Sequence, residues 1–125
     1  MSEVAGHELA DAMEGYSFAY LMTVTKDGEA HAVAVQPQLR DGAVQLGGVG
    51  SRSRANIADR PNVSLVWPPS DFDGYSLIVN GVAVDGDSMV TVAPTRAVLH
   101  RPHDHDAHKA AGTGCGSDCV PLDLG

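Results

Sequence analysis

The sequence predicts a mainly β chain with short helices, built as a six-stranded antiparallel β-barrel. Three observations carry that expectation. Apolar positions alternate with a period of two through most of residues 17–101. Asp-Gly pairs begin at Asp27, Asp41, Asp73 and Asp85, and three of the four fall between strand-like runs, where such pairs make tight hairpins. One short helical stretch, starting at Ser51, interrupts the series. So short a sheet exposes its edges unless it closes, which favours a barrel over the alternative, a flat two-layer sandwich.

In chain order, Ser2 caps a helix running to about Glu14, with Ala5, Leu9, Ala12 and Met13 on one face and Gly15 ending it. Strands follow at Ser17 to Thr25, Glu29 to Leu39, Ala43 to Gly48, Asn62 to Trp67, Tyr75 to Val84 and Ser88 to Arg101. In the first, Phe18, Tyr20, Met22 and Val24 face one way and Ala19, Leu21, Thr23 and Thr25 the other, and both faces are largely apolar. One face is expected to meet the core and the other a helix or a partner. Beyond Pro102 the periodicity stops, so residues 1–101 are read as one domain and 102–125 as a flexible tail rich in His, Cys and Gly.

The totals are consistent with this division. A chain of 125 residues is too short for two self-sufficient cores, and with 43% apolar but only 5% aromatic residues the single core is aliphatic. A net charge of -8 argues against nucleic acid as a partner, because phosphate backbones need a clustered basic face. No apolar run reaches the roughly 20 residues of a membrane helix, and Met1 to Gly15 has neither a basic start nor a hydrophobic signal segment. The expectation is a cytoplasmic protein without a membrane partner. Two cysteines, both in the tail, make no disulfide framework.

Chemistry concentrates in Gly47 to Val66. Arg52, Arg54 and Arg60 are three of only eight basic residues, and Arg52 and Arg54 sit with Ser51, Ser53 and Asn56 on a short helix that follows a glycine turn and breaks at Pro61. Guanidinium groups, hydroxyls and free amides at a helix N-terminus are the donors a phosphate requires, and Arg52 and Asn56, four apart, share a face. A rival reading is a plain capped helix with Ser51 or Ser53 as N-cap and Arg54 and Arg60 in solvent. Gly47, Gly48 and Gly50 match neither the G-x-G-x-x-G spacing nor a Walker loop, and alternatively mark a bend at a barrel corner. Trp67 either borders a ligand pocket or plugs a barrel end. His31 reads as a rim residue rather than a catalyst.

The second concentration is His100, His103, His105 and His108 with Cys115 and Cys119. These are ligand types for zinc, nickel or copper, but the spacing is no structural zinc pattern and no metal ligand is assigned. A redox-active Cys115–Cys119 pair is the alternative.

The order strand, Asp27-Gly28 hairpin, Glu29-Ala30-His31-Ala32-Val33-Ala34-Val35, hairpin and strand, then Ser51-Arg52-Ser53-Arg54-Ala55-Asn56-Ile57 and Arg60-Pro61-Asn62-Val63-Ser64-Leu65, resembles the pyridoxamine 5′-phosphate oxidase-like FMN-binding split barrels over Tyr16 to Arg101. The resemblance implies a split barrel in which Ser51, Arg52 and Ser53 hold the phosphate of FMN. Arg54 and Asn56 are second choices, Val33, Ala34 and Val35 line the ring, and Trp67 borders the pocket. The Lys usual three residues before the Asn is Ser53 here, which leaves Arg52 as the cation. The resemblance further implies a homodimer with shared sites, acting as a flavoprotein oxidoreductase that transfers two electrons to a small organic substrate. The alternatives are a deazaflavin-dependent reductase, a non-enzymatic flavin or haem carrier, and a metal-handling protein that uses the His/Cys tail.

Overall fold

The computed structural model describes residues 2–102 and 117–124, with side chains from 8 to 102 and from 119 to 124. Helix α1 (Ser2–Glu14) is followed by β1 (Ala19–Val24), β2 (Ala30–Val35), β3 (Gln38–Arg40), β4 (Ala43–Gly47), α2 (Ser51–Asp59), β5 (Asn62–Trp67), β6 (Ser76–Asp85), β7 (Met89–Pro102) and β8 (Ser117–Leu122). All strand pairs are antiparallel, in the order β2-β1-β5-β6-β7-β4-β3, with β8 added to β7. The expected antiparallel split barrel is the fold observed.

The strand order explains why the sheet curls. β2 and β3 occupy opposite ends of it, yet only Gln36 and Pro37 separate them in the chain. Laid flat, seven strands at about 4.8 Å spacing would put those ends roughly 29 Å apart. Three Cα steps reach about 11 Å, so the sheet must roll until its two edges meet.

Two strands depart from the expected six. The run Glu29 to Leu39 breaks into β2 and β3 because Pro37 has no N–H to give to a ladder. Ser117–Leu122 forms β8, where the sequence predicts a tail without regular structure. The fourteen-residue β7 accounts for it: one side pairs with β6 along most of its length, while β4 covers only Met89 to Val92 of the other. β8 fills the remaining edge from Ala97 to Pro102, and its Leu122 packs on the core together with Leu124. Pro121 is tolerated because β8 pairs with β7 alone among the described strands.

The turns follow their chemistry. Asp41 and Gly42 both have positive φ, 53° and 79°, which is the two-residue type I′ turn that Asp-Gly favours between β3 and β4. The β1–β2 hairpin has a three-residue loop closed by Gly28 N–H to Thr25 C=O at 2.9 Å, with Gly28 at φ 87°. Within β7, Thr95 bulges out of register with β6, and opposite it Gly81 leaves no room for a side chain: a Cβ there would lie 2.5 Å from the Ala93 carbonyl oxygen.

The inward residues make one aliphatic core. Ala19 and Leu21 of β1, Val63 and Leu65 of β5, Leu77 and Val79 of β6 and Val90 and Val92 of β7 are buried together with Val44, Leu46, Trp67, Leu9 of α1 and Ile57 of α2. At the end of α1, the Tyr16 hydroxyl donates to the Tyr75 carbonyl at 2.7 Å, and burial raises its pKa above the ordinary value. On the outer face of the same sheet Tyr20, Met22, Val82 and Val84 are exposed.

Candidate functional site

Helix α2 begins where β4 ends, in the turn formed by Gly47, Gly48, Val49 and Gly50. Gly48 has φ 71°, a conformation that glycine adopts without strain. The N-cap is Gly50, in extended conformation and without a side-chain cap hydrogen bond, so neither Ser51 nor Ser53 caps the helix. The first intrahelical bond runs from Arg54 N–H to the Gly50 carbonyl at 3.1 Å. The amides of Ser51, Arg52 and Ser53 therefore have no acceptor inside the helix, and the positive end of its dipole lies among them.

Two side chains fasten the helix to the sheet. Asn56 is buried, and its Nδ2 donates to Thr23 Oγ1 of β1 at 3.0 Å. Arg54 straps the other flank: Nε donates to the Val49 carbonyl at 3.0 Å, while Nη1 reaches the Asp85 carboxylate and the Gly86 carbonyl at the β6–β7 turn. Arg54 is thus occupied in holding α2 rather than turned to a ligand. Pro61 follows the C-cap residue Arg60, whose N–H closes on the Asn56 carbonyl at 2.7 Å.

This anchoring sets the exposed face of α2 against the β1–β2 hairpin. Between them lies a cleft of about 580 Å³ lined by Thr25, Lys26, Asp27 and Glu29 from the hairpin and Arg52, Ala55, Asn56 and Asp59 from the helix. Its charges are mixed, two cations against three carboxylates. Recognition of an anion here rests on placed donors, not on a positive field. A second cleft, also about 580 Å³, lies toward the far end of β2 and is lined by Ser17, Phe18, Ala34, Val35, Gln36 and Gly47. A third, of about 320 Å³, includes Met22, Ser64 and Asn80, where Asn80 Nδ2 donates to Ser64 Oγ at 2.6 Å.

Of the residues predicted from sequence, Arg52 and Asn56 share the hairpin cleft, and Ser51 is exposed at the helix start. Ala34 and Val35 line the second cleft, whereas the half-buried Val33 lines none of the three. Ser53 and Trp67, each 2% exposed, belong to the interior. Trp67 fills the barrel because a large aromatic gains most by burying its whole surface. Sequence reading missed Thr25, Lys26 and Glu29, which only the long-range packing of α2 on β1 brings to Arg52. His31 is half-buried on β2 opposite Thr23.

Among the described residues no three His, Cys, Asp or Glu side chains group as metal ligands. His103, His105, His108 and Cys115 lie outside the described residues. His100 and Cys119 do meet: they are register partners on β7 and β8, with His100 Nδ1 3.2 Å from Cys119 Sγ. No helix of the described residues is long and apolar enough to cross a membrane.

No protein-family profile matches the chain. Uncharacterized proteins of Mycobacterium bovis and Mycobacterium tuberculosis are each 44% identical to it over 128 aligned positions, covering 90% of this chain and 89% of theirs. Among solved structures, a candidate pyridoxamine 5′-phosphate oxidase from Listeria innocua is similar at a TM-score of 0.60 and 12% identity, covering 75% of this chain and 96% of that one. An FMN-binding protein from Syntrophomonas wolfei is similar at 0.63 and 11%, covering 79% and 88%. An F420 reductase gives 0.57 and 17%, covering 70% and 94%, and a heme-binding protein from Mycobacterium smegmatis 0.60 and 19%, covering 94% and 57%. The chain has the pyridoxamine 5′-phosphate oxidase-like split-barrel fold, and it belongs to the family of the two mycobacterial proteins.

Proposed function

We propose that the protein binds a flavin-type cofactor, FMN or a deazaflavin, and transfers two electrons to a small organic substrate as a cytoplasmic homodimer. The observation that carries this reading is the start of α2: three amides without intrahelical acceptors and no side-chain cap, with Arg52 facing the cleft shared with Lys26. The donor set fits a phosphate. Amides at a helix start and the cations Arg52 and Lys26 supply hydrogen bonds, and these directed donors act against a cleft in which the carboxylates of Asp27, Glu29 and Asp59 outnumber the cations. The second cleft fits a planar ring, since Phe18, Ala34 and Val35 offer apolar surface and Gly47 adds no side chain.

When bound, such a cofactor supplies the hydride chemistry, and the protein's part is to hold and orient it. Arg52 and the amides of Ser51 to Ser53 fix the anionic end. Asn56 acts indirectly, by keeping α2 at a set distance from β1 through Thr23. The β2 strand spans from one cleft to the other, with Ala30 near the hairpin and Ala34 and Val35 at the far end.

The test is to purify the protein without a metal-affinity tag, record its ultraviolet-visible spectrum and identify any released ligand by mass spectrometry. A flavin or deazaflavin band is expected, together with turnover of a reductant and an acceptor. A Soret band would replace the reading with haem carriage, and a bound flavin without turnover would make the protein a carrier. Arg52→Ala is expected to weaken binding of added cofactor by about tenfold to a hundredfold, the equivalent of a charge-assisted hydrogen bond of roughly 1.5–3 kcal/mol. Unchanged affinity would remove Arg52 from the site.

A further inference from the structure

We propose, on the reading of the hairpin cleft as a phosphate site, that Arg60 is a positioning residue, which straps the β1–β2 hairpin to the end of α2 and so holds Lys26 across the cleft from Arg52. Arg60 lines none of the three clefts, yet it engages both walls of this one. Its Nη2 donates to the Lys26 carbonyl of the hairpin at 3.3 Å, and its Nε lies 3.8 Å from Oδ2 of Asp59 on the helix. Lys26 and Asp59 both line the cleft.

The root of this side chain is fixed. Arg60 N–H closes on the Asn56 carbonyl at 2.7 Å, the next residue is Pro61 with its locked φ, and the Pro61 carbonyl accepts from Ala83 N–H of β6 at 2.8 Å. The tip of the hairpin is held differently. Thr25 N–H donates to the Glu29 carbonyl, Gly28 N–H to the Thr25 carbonyl and Glu29 N–H to Thr25 Oγ1, bonds that set the shape of the loop but not its place relative to α2. Among the described residues, the hydrogen bonds that join this hairpin to α2 and its cap are Asn56 to Thr23 and Arg60 to Lys26. Lys26 stands three residues beyond Thr23, about 10 Å along an extended chain. With the buried tie alone the tip can swing about Thr23, and the second tie stops it.

This matters for a phosphate because its two cations come from opposite walls. Arg52 is carried by α2 itself, whereas Lys26 reaches the same anion only while the hairpin tip is kept close. Lysine is a point charge on a flexible stem, so the cost of placing it depends on where its backbone stands. An arginine suits the strap, since its fork of donors can serve two acceptors at once.

The test compares FMN with riboflavin, which share a ring and differ by the phosphate, so the ratio of their dissociation constants reads the phosphate site alone. Both are measured by quenching of flavin fluorescence on the full chain. Arg60→Ala is expected to lower the preference for FMN about threefold to tenfold, the worth of one hydrogen bond, with riboflavin binding unchanged. Lys26→Met is expected to lower it as well, and Arg60→Ala added to Lys26→Met to lower it no further, because the strap acts through Lys26. A thermal melt checks that Arg60→Ala is folded; should it not be, Arg60→Lys, which keeps the charge on a single-point donor, takes its place. A preference for FMN that the Arg60 variant leaves intact, an equal loss for riboflavin, or full additivity with Lys26→Met would overturn the proposal and leave the phosphate site standing. A wild-type chain that binds FMN no better than riboflavin would overturn the phosphate reading, and the role of the strap with it.

Discussion

Asn56 shows how a residue chosen for ligand chemistry comes to hold the site instead. Its amide sits in the interior and donates to Thr23, itself buried. Removing it leaves a buried hydroxyl without its donor and opens space under α2. Asn56→Ala is expected to cost about 1–3 kcal/mol in chemical denaturation, the range for orphaning a buried polar group. It should also loosen any bound cofactor, because Arg52 rides on the same helix. Asn56→Asp is the informative companion, since it keeps the volume but replaces the donor with a carboxylate that cannot donate when ionised. A loss below about 0.5 kcal/mol for Asn56→Ala would show that the buried bond adds little. Arg54 is a similar case: the sequence offers it as a second choice of phosphate ligand after Arg52, and only the approach of the β6–β7 turn tells that it is taken up by Asp85. That pair is partly exposed, so it is worth at most about 1 kcal/mol and serves mainly to orient the helix.

Among the elements, α1 is tied to the sheet at its C-terminal end, where the Tyr16 hydroxyl donates to the Tyr75 carbonyl. Burial disfavours the phenolate and raises the folded pKa above the ordinary 10.0. The unfolded chain therefore loses this proton at lower pH than the folded one does. The contribution is fully present below pH 10 and is lost as the pH rises through the folded value. Thermal melts across the alkaline range are expected to show that loss, and Tyr16→Phe to abolish this component at a cost of about 0.5–1.5 kcal/mol at neutral pH. An alkaline limb identical in Tyr16→Phe would assign it to other groups.

Most elements were legible from local pattern. The extent of α1, the first strand and the hairpins at Asp27, Asp41 and Asp85 follow from helical periodicity, alternation and turn chemistry acting within a few residues. β8 was not legible, because Ser-Asp-Cys-Val-Pro-Leu carries too little alternation and contains a proline. What makes it a strand is the uncovered edge of β7, a fact about residues some twenty positions earlier. For the same reason half of the hairpin cleft was legible: Arg52 and Asn56 advertise themselves in the helix, while Lys26 and Glu29 are ordinary hairpin residues until α2 docks on β1.

Over the whole molecule, the outer face of β1, β5 and β6 is the feature that leaves large apolar side chains exposed among the described residues. Tyr20, Met22, Val82 and Val84 are large apolar residues in solvent, and Ala32 and Ala34 extend the surface onto β2. Exposed apolar side chains on one sheet face, here interleaved with Ser64, Asn62 and Asn80, suit a protein interface. Its proposed occupant is a second copy, as the family resemblance implies. Light scattering is expected to give twice the chain mass, and Met22→Glu to shift it toward a single chain, because a carboxylate in the middle of that face has no partner to pair with. A wild-type protein with the mass of one chain at micromolar concentration would end this reading.

The join between β2 and β3 also bears on how the barrel assembles. Closing a sheet normally demands that distant strands find one another, with an entropic cost that grows with the intervening loop. Here the two edges are successive segments of one strand-like run, parted by Gln36 and Pro37 alone. Whichever hairpin forms first, β1–β2 or β3–β4, it carries the opposite rim with it like a clasp already threaded. A circular permutant opened between Gln36 and Pro37 would keep every ladder yet have to search for its own seam.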